Sequence, residues 1–344
     1  MTTRLTLTCA MSALLVSAAA CSQSATTVAP LTAQSARSVM SSEIAPSAPK
    51  TYLYASTIDW TGAPGSVYVY DAYSKSSQPL KTMQLQAGFS EGLWTDSHAN
   101  VYVAVVNAGP TGLGYIAKYT PGLGKLLETY TAGLSGPVGG TFDKSGNMYV
   151  ADICSPNAVS CGVFARTHQP GTLNNGYIGF YPPGSMSPTK KIQGAALTAP
   201  VGLALDKEGD IFAANNTGGQ AWSVVELEHG TYQSHTVQFK NVPSNRWVGA
   251  VAFNSDDVLL ASINTAIDFF PKKHGAWSKQ LTNGVLVADG LAFGPDGTLF
   301  AGNFEFENNE GNVVAFPPGA TKPARSYAVP YNQGVVATAV GSGS

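Results

Sequence analysis

Short apolar runs alternate with polar turns along most of this chain, in units of about forty to sixty residues, a period that marks repeat architectures. Each unit opens with a small residue and an apolar run, crosses a polar turn, and closes with a second apolar run ending in a small residue. Val201-Gly202-Leu203-Ala204-Leu205, the turn Asp206-Lys207-Glu208-Gly209 and Ile211-Phe212-Ala213-Ala214 form one copy. Asp289-Gly290-Leu291-Ala292-Phe293, Pro295-Asp296-Gly297 and Leu299-Phe300-Ala301 form another. Runs this short, bounded by Asp, Asn and Gly, fit strands rather than helices. Asx side chains favour such turns by bonding their own backbone, and glycine supplies the positive φ.

Aligned on the first strand, the small residues are Gly92, Gly139, Gly202, Ala250, Gly290 and Gly334, separated by 47, 63, 48, 40 and 44 residues. Second strands are predicted at Val101-Tyr102-Val103-Ala104, Met148-Tyr149-Val150-Ala151, Ile211-Phe212-Ala213-Ala214, Val258-Leu259-Leu260-Ala261 and Leu299-Phe300-Ala301. Third strands such as Tyr177-Ile178-Gly179-Phe180-Tyr181 run into Pro-Gly turns, and a more polar outer strand ends the unit. The two ends of the pattern do not match. Tyr52-Leu53-Tyr54-Ala55 reads as a second strand with no first strand before it, and Gly334-Val335-Val336 reads as a first strand with no second after it. The economical solution is an all-β, six-bladed β-propeller over residues 51–344 in which the C-terminal strand closes the first blade and removes an unpaired edge. Gly202-Leu203-Ala204-Leu205-Asp206 to Ala214-Asn215, and Gly139 to Asp152, resemble NHL-type repeats. That resemblance implies the fold and leaves the activity open, because propellers host binding and catalysis alike.

Residues 1–21 read as an export signal. Arg4 is the only charge, the apolar stretch is too short to span a bilayer, and Ala18-Ala19-Ala20-Cys21 follows. Small residues before a cysteine resemble a bacterial lipobox, which implies lipidation of Cys21 and anchoring in the cell envelope; ordinary cleavage after Ala20, giving a secreted or periplasmic protein, is the alternative. Residues 22–50 are rich in Ser, Thr, Ala and Pro and carry too little apolar surface to fold, so they read as a disordered tether. Nineteen Lys and Arg against twenty-one Asp and Glu leave no basic cluster for nucleic acid. The expected partners are an extracytoplasmic ligand or protein, with the membrane reached through the lipid alone. Cys154 and Cys161 flank a short loop in an oxidising compartment and are expected to form a disulfide.

Candidate chemistry lies at one mouth of the channel. Residues just before the aligned small residues, namely Glu91, Val138, Val201, Gly249, Asp289 and Gln333, are expected to ring that mouth. The ends of the second strands bring Asp152, Asn215 and Asn303 to the same face, where each serves a ligand or satisfies loop backbone. Trp60, Trp222, Phe304 and Phe306 stand in the loops there, either stacking on a ligand or packing back onto the propeller. Glu91-Gly92-Leu93-Trp94 resembles the Glu-Gly-Pro-x-Trp motif of the gluconolactonase/senescence-marker family, and Asp289-Gly290 resembles its Pro-Asp-Gly motif. The resemblance implies a divalent cation such as Ca²⁺ between Glu91 and Asp289, with Asp289 also a base in lactone hydrolysis. The two asparagine ligands of that family would fall at Val201 and Gly249, which have no side-chain oxygen, and Ala288 replaces the proline. The sequence therefore favours a binding or scaffolding module, with a lactonase-like or lyase-like enzyme as the alternative.

Overall fold

Strands rich in Val, Ile, Tyr and Phe, separated by Asx- and Gly-bearing turns, build the whole described body. The computed structural model describes residues 50–59, 63–106, 113–154, 176–216, 222–242, 247–305, 310–330 and 333–342. These strands form six four-stranded antiparallel sheets. From the centre outward, blade 1 is Gln333–Ser342, Thr51–Asp59, Ser66–Asp71 and Lys81–Gln84. Blade 2 is Phe89–Thr95, Val101–Val106, Tyr115–Tyr119 and Leu126–Tyr130. Blade 3 is Pro137–Phe142, Met148–Asp152, Tyr177–Tyr181 and Lys190–Ile192. Blade 4 is Ala199–Leu205, Ile211–Asn216, Trp222–Leu227 and Ser234–Thr236. Blade 5 is Val248–Phe253, Leu259–Ile263, Ala266–Phe270 and Lys279–Leu281. Blade 6 is Val287–Phe293, Leu299–Glu305, Glu310–Phe316 and Arg325–Ala328. A short parallel pair, Phe239–Lys240 with Gly275–Ala276, which the repeat pattern did not announce, links the segments after blade 4 and within blade 5.

The C-terminal strand closes the ring as expected. It pairs antiparallel with Thr51–Asp59, from Thr51 opposite Ser342 to Asp59 opposite Gln333. Inner strands contact their neighbours around the ring, so the strand of blade 1 lies between those of blades 6 and 2.

The core lies between the blades. The second strands are buried on both faces, which is why they read as unbroken apolar runs rather than alternating ones. Blades 2 and 3 meet through Tyr102, Tyr130, Met148 and Tyr181, and blades 4 and 5 through Phe212, Leu259 and Phe270. Blades 1 and 6 meet through Tyr70, Phe300 and Tyr327. Each fully buried side chain of this size contributes roughly 1.5–3 kcal/mol relative to exposure.

The hairpins on the face remote from the mouth share one device. Asp96 Oδ1 accepts from the backbone N–H of His98 and Asn100, Asp143 Oδ1 from Ser145 and Asn147, and Asn254 Oδ1 from Asp256 and Val258. In blade 4 the turn residue Asp206 also takes part in an ion cluster. Lys273 of blade 5 bonds Asp206 at 2.6 Å, Glu208 at 2.7 Å and Asp257 at 2.9 Å, clamping the two blades together.

Candidate channel-mouth site

Each inner strand departs from regular pairing at the same height. The residue or residues left without a partner are Glu91 in blade 2, Val138 in blade 3, Val201 in blade 4, Gly249 and Ala250 in blade 5, Asp289 in blade 6 and Val336 in blade 1. A bulge re-aims the side chain it frees, and here every one of these residues lines a single cavity of about 150 Å³ at the centre of the ring. Five of the six predicted ring positions are therefore occupied as expected. The sixth is not: Gln333 pairs with Asp59, and its Oε1 accepts from Thr57 Oγ1 and the Tyr68 hydroxyl at 2.9 and 2.8 Å. The closing strand runs from Gln333 to Ser342 and is longer than the other inner strands, so its bulge falls beyond Gly334. Val336 takes the ring position, and Ala337 stands where blades 2, 3, 4 and 6 carry glycine.

Glu91 and Asp289 come from blades 2 and 6, which closure places on either side of blade 1. Their charges repel. Burial first, and the Asp289 charge second, push Glu91 up to about 8. Burial pushes Asp289 up to about 7, opposed by the Trp247 indole N–H, which donates to Asp289 Oδ1 at 3.0 Å. Among the described residues no hydrogen bond reaches the Glu91 carboxyl. Trp247 itself packs on Trp222, ring centroids 4.1 Å apart, and both line the cavity with Phe304. Trp222 is thus a buried part of the wall rather than a free loop aromatic.

The second-strand Asx residues are committed elsewhere. Asp152 is fully buried and accepts from the backbone N–H of Ser135, Gly136 and Cys154. Burial pushes its carboxyl up against the lowering effect of those bonds. Asn215 accepts from Thr198 and Ala199 N–H and donates to the Ala196 carbonyl. Asn303 accepts from Leu286 N–H and donates to the Gly284 carbonyl and to Asn312. All three latch the segment entering their own blade's inner strand, as loop-satisfying Asx residues do. Trp60, Phe306, Cys161 and Cys21 lie outside the described residues; Cys154 is buried beside the mouth.

Two features were not read from the sequence. Trp247 gave no signal beyond its place two residues before Gly249, yet that place puts it at the mouth next to the blade that carries Asp289. Thr338, two residues past Val336, lines the cavity, and its hydroxyl is buried with no hydrogen-bond partner among the described residues.

The donor set does not fit the four-ligand metal site that the family resemblance implied. No third carboxylate, histidine or cysteine among the described residues joins Glu91 and Asp289 to make a metal set. Val201 offers no side-chain oxygen. A Cβ on Gly249 would overlap Asp289 Oδ1 and the Ala288 carbonyl oxygen, so an asparagine there would displace the very acid it should assist. Hard cations take six to eight oxygen ligands, and this ring would leave most of them to water.

No family model matches the chain, and no curated protein matches it. Among solved structures, the chain is similar to a protein of unknown function from Bacteroides caccae, with a TM-score of 0.59 and 11% identity over 86% of this chain and 99% of that one. It also matches a structure described provisionally as a gluconolactonase, with a TM-score of 0.48 and 14% identity over 74% of this chain and 86% of that one. At these identities the likeness concerns fold alone, and the fold is an all-β, six-bladed β-propeller closed by its C-terminal strand.

Proposed function

We propose that this chain is a ligand-binding propeller of a bacterial cell envelope, exported by residues 1–21, anchored through a lipid on Cys21 and held off the membrane by residues 22–50. The body is an NHL-type propeller whose mouth segment is closed by a Cys154–Cys161 disulfide. The observation that carries the binding assignment is the bulge ring: it presents two carboxylates to one small cavity whose wall is mainly apolar and aromatic, with Asn216 and Thr338 as its other polar side chains, the composition of a binding pocket with a few placed polar groups. A lactonase-like activity is the second reading. It is favoured by Asp289, whose carboxyl at about 7 is matched to proton abstraction near neutrality.

Two experiments test the assignment. Calcium at millimolar concentration is expected to raise the melting temperature slightly if at all, as in weak extracellular sites, and a simple sugar lactone is expected to show no metal-dependent hydrolysis. Rapid turnover that needs the metal and disappears in Asp289→Asn would replace the binding assignment with an enzymatic one. For the address, Cys21→Ala is expected to move the protein out of the membrane fraction or to leave an unprocessed precursor, since a diacylated, amino-acylated cysteine holds far more firmly than a single chain. A wild-type protein found wholly soluble, with an unmodified N-terminus, would remove the anchor from this account.

A further inference from the structure

We infer that the bulge-ring cavity takes a small organic monocation, a protonated amine, with its ammonium group between Glu91 and Asp289 and its apolar part against Trp222, Trp247 and Phe304. This rests on the mouth being a ligand site, and it names the class of ligand.

Charge is the first ground. Glu91 and Asp289 are the only titratable side chains in the cavity wall among the described residues, and no lysine, arginine or histidine stands with them. Two carboxylates only partly open to the channel and without a counter-charge are costly, and a proton or a cation answers them. Hydrogen-bond supply is the second ground. Asp289 has one donor, the Trp247 indole, and Glu91 has none among the described residues. An ammonium carries three N–H donors and no acceptor, which is what this wall lacks. A metal ion would find two ligands, and a sugar would meet Ile58, Val138, Ile153 and Val201 where its hydroxyls need partners.

Size and wall chemistry set the rest of the ligand. A cavity of about 150 Å³ is the size that admits a benzene-sized guest. Aromatic rings beside the carboxylates add cation–π attraction for an ammonium that neither a neutral alcohol nor an anion would receive. With Glu91 held at about 8 and Asp289 at about 7, the pair retains a proton near neutrality, and an arriving ammonium displaces it. Binding and proton release are therefore linked, and affinity rises with pH until the amine itself loses its charge.

Calorimetric titration of the purified protein with n-butylamine tests this, with n-butanol, tetramethylammonium and calcium as comparisons. Expected are binding of butylammonium with proton release near neutrality, read from buffers of different ionisation enthalpy, and affinity about tenfold higher near pH 8.5 than near pH 6, the direction of carboxyl ionisation. Butanol, lacking the charge, should bind at least about tenfold more weakly, and tetramethylammonium, lacking N–H donors, should fall between them. Glu91→Gln should lose about tenfold or more in affinity for butylammonium while still melting cooperatively. Asp289→Asn provides a second, independent removal of charge if Glu91→Gln fails to fold. Butanol binding as well as butylammonium, or affinity unchanged in these folded variants, overturns the inference. Calcium binding without amine binding also overturns it and leaves a ligand site standing, whereas metal-dependent lactone turnover overturns the reading beneath it.

Discussion

Deleting the chain from Gln333 onward is expected to abolish cooperative folding. The strand it removes is the innermost of blade 1 and pairs with Thr51–Asp59 along that strand's whole length. At roughly 0.5–1.5 kcal/mol net per hydrogen bond, such a ladder alone is worth about 5–10 kcal/mol, comparable to the ~5–15 kcal/mol by which whole domains are stable. Packing adds to this. Val335 is fully buried in the layer between blades 1 and 6, and Ala337 and Ala339 lie in the layer between blades 1 and 2. Thr95 of blade 2 donates to the Val340 carbonyl at 2.9 Å. Thermal unfolding followed by circular dichroism should show a weak, broad transition or none. A truncated protein that melts sharply at the wild-type temperature would mean that the ring does not depend on this strand.

The second large effect is a pH-dependent gain of stability on neutralising the channel acids. Both carboxyls hold protons more tightly in the folded protein, at about 8 for Glu91 and about 7 for Asp289, than at their ordinary values of 4.5 and 3.8. The folded state therefore has this contribution in full below about pH 4 and loses it as pH rises through 7 and 8. Each unit of displacement corresponds to about 1.4 kcal/mol. Both side chains are partly open to the channel, and its water discounts the total to about 2–4 kcal/mol for the pair. Glutamine and asparagine carry no such proton linkage. The Glu91→Gln/Asp289→Asn variant should thus melt above wild type near pH 9, with the gap closing toward pH 5. Parallel melting curves for the two proteins across that range would show that the carboxylates are not desolvated as described.

Fold was largely legible because its determinants are local. Asp96, Asp143, Asp206 and Asn254 announce their hairpins by a side-chain bond to the next few backbone N–H groups, and that chemistry sits within five residues of sequence. The mismatch between Tyr52 and Gly334 implied closure for the same reason: a strand pattern without its partner is visible as text. The site was legible only in part. Glu91 and Asp289 were marked by their place before a glycine, but Val336 was not, because Gly334 supplies a small residue earlier in the closing strand while the bulge falls two residues later, between the pairs Thr57–Val335 and Ser56–Ala337. The bond from Trp247 to Asp289 joins different blades and depends on ring geometry. Asp152, Asn215 and Asn303 carry the residue types of a ligand site and are spent on backbone, a distinction that only burial reveals.

Pairing of Thr51 with Ser342 gives the propeller a property that its linear sequence conceals. The two ends of the body meet inside one sheet, so the body is topologically a circle opened at one hairpin. The opening falls where the other five blades turn tightly between first and second strands. Joining the ends there and cutting a hairpin in another blade would leave every strand with the same neighbours. The blade numbering is thus a matter of which hairpin is left open, and a circular permutant opened at another hairpin would keep the same packed ring.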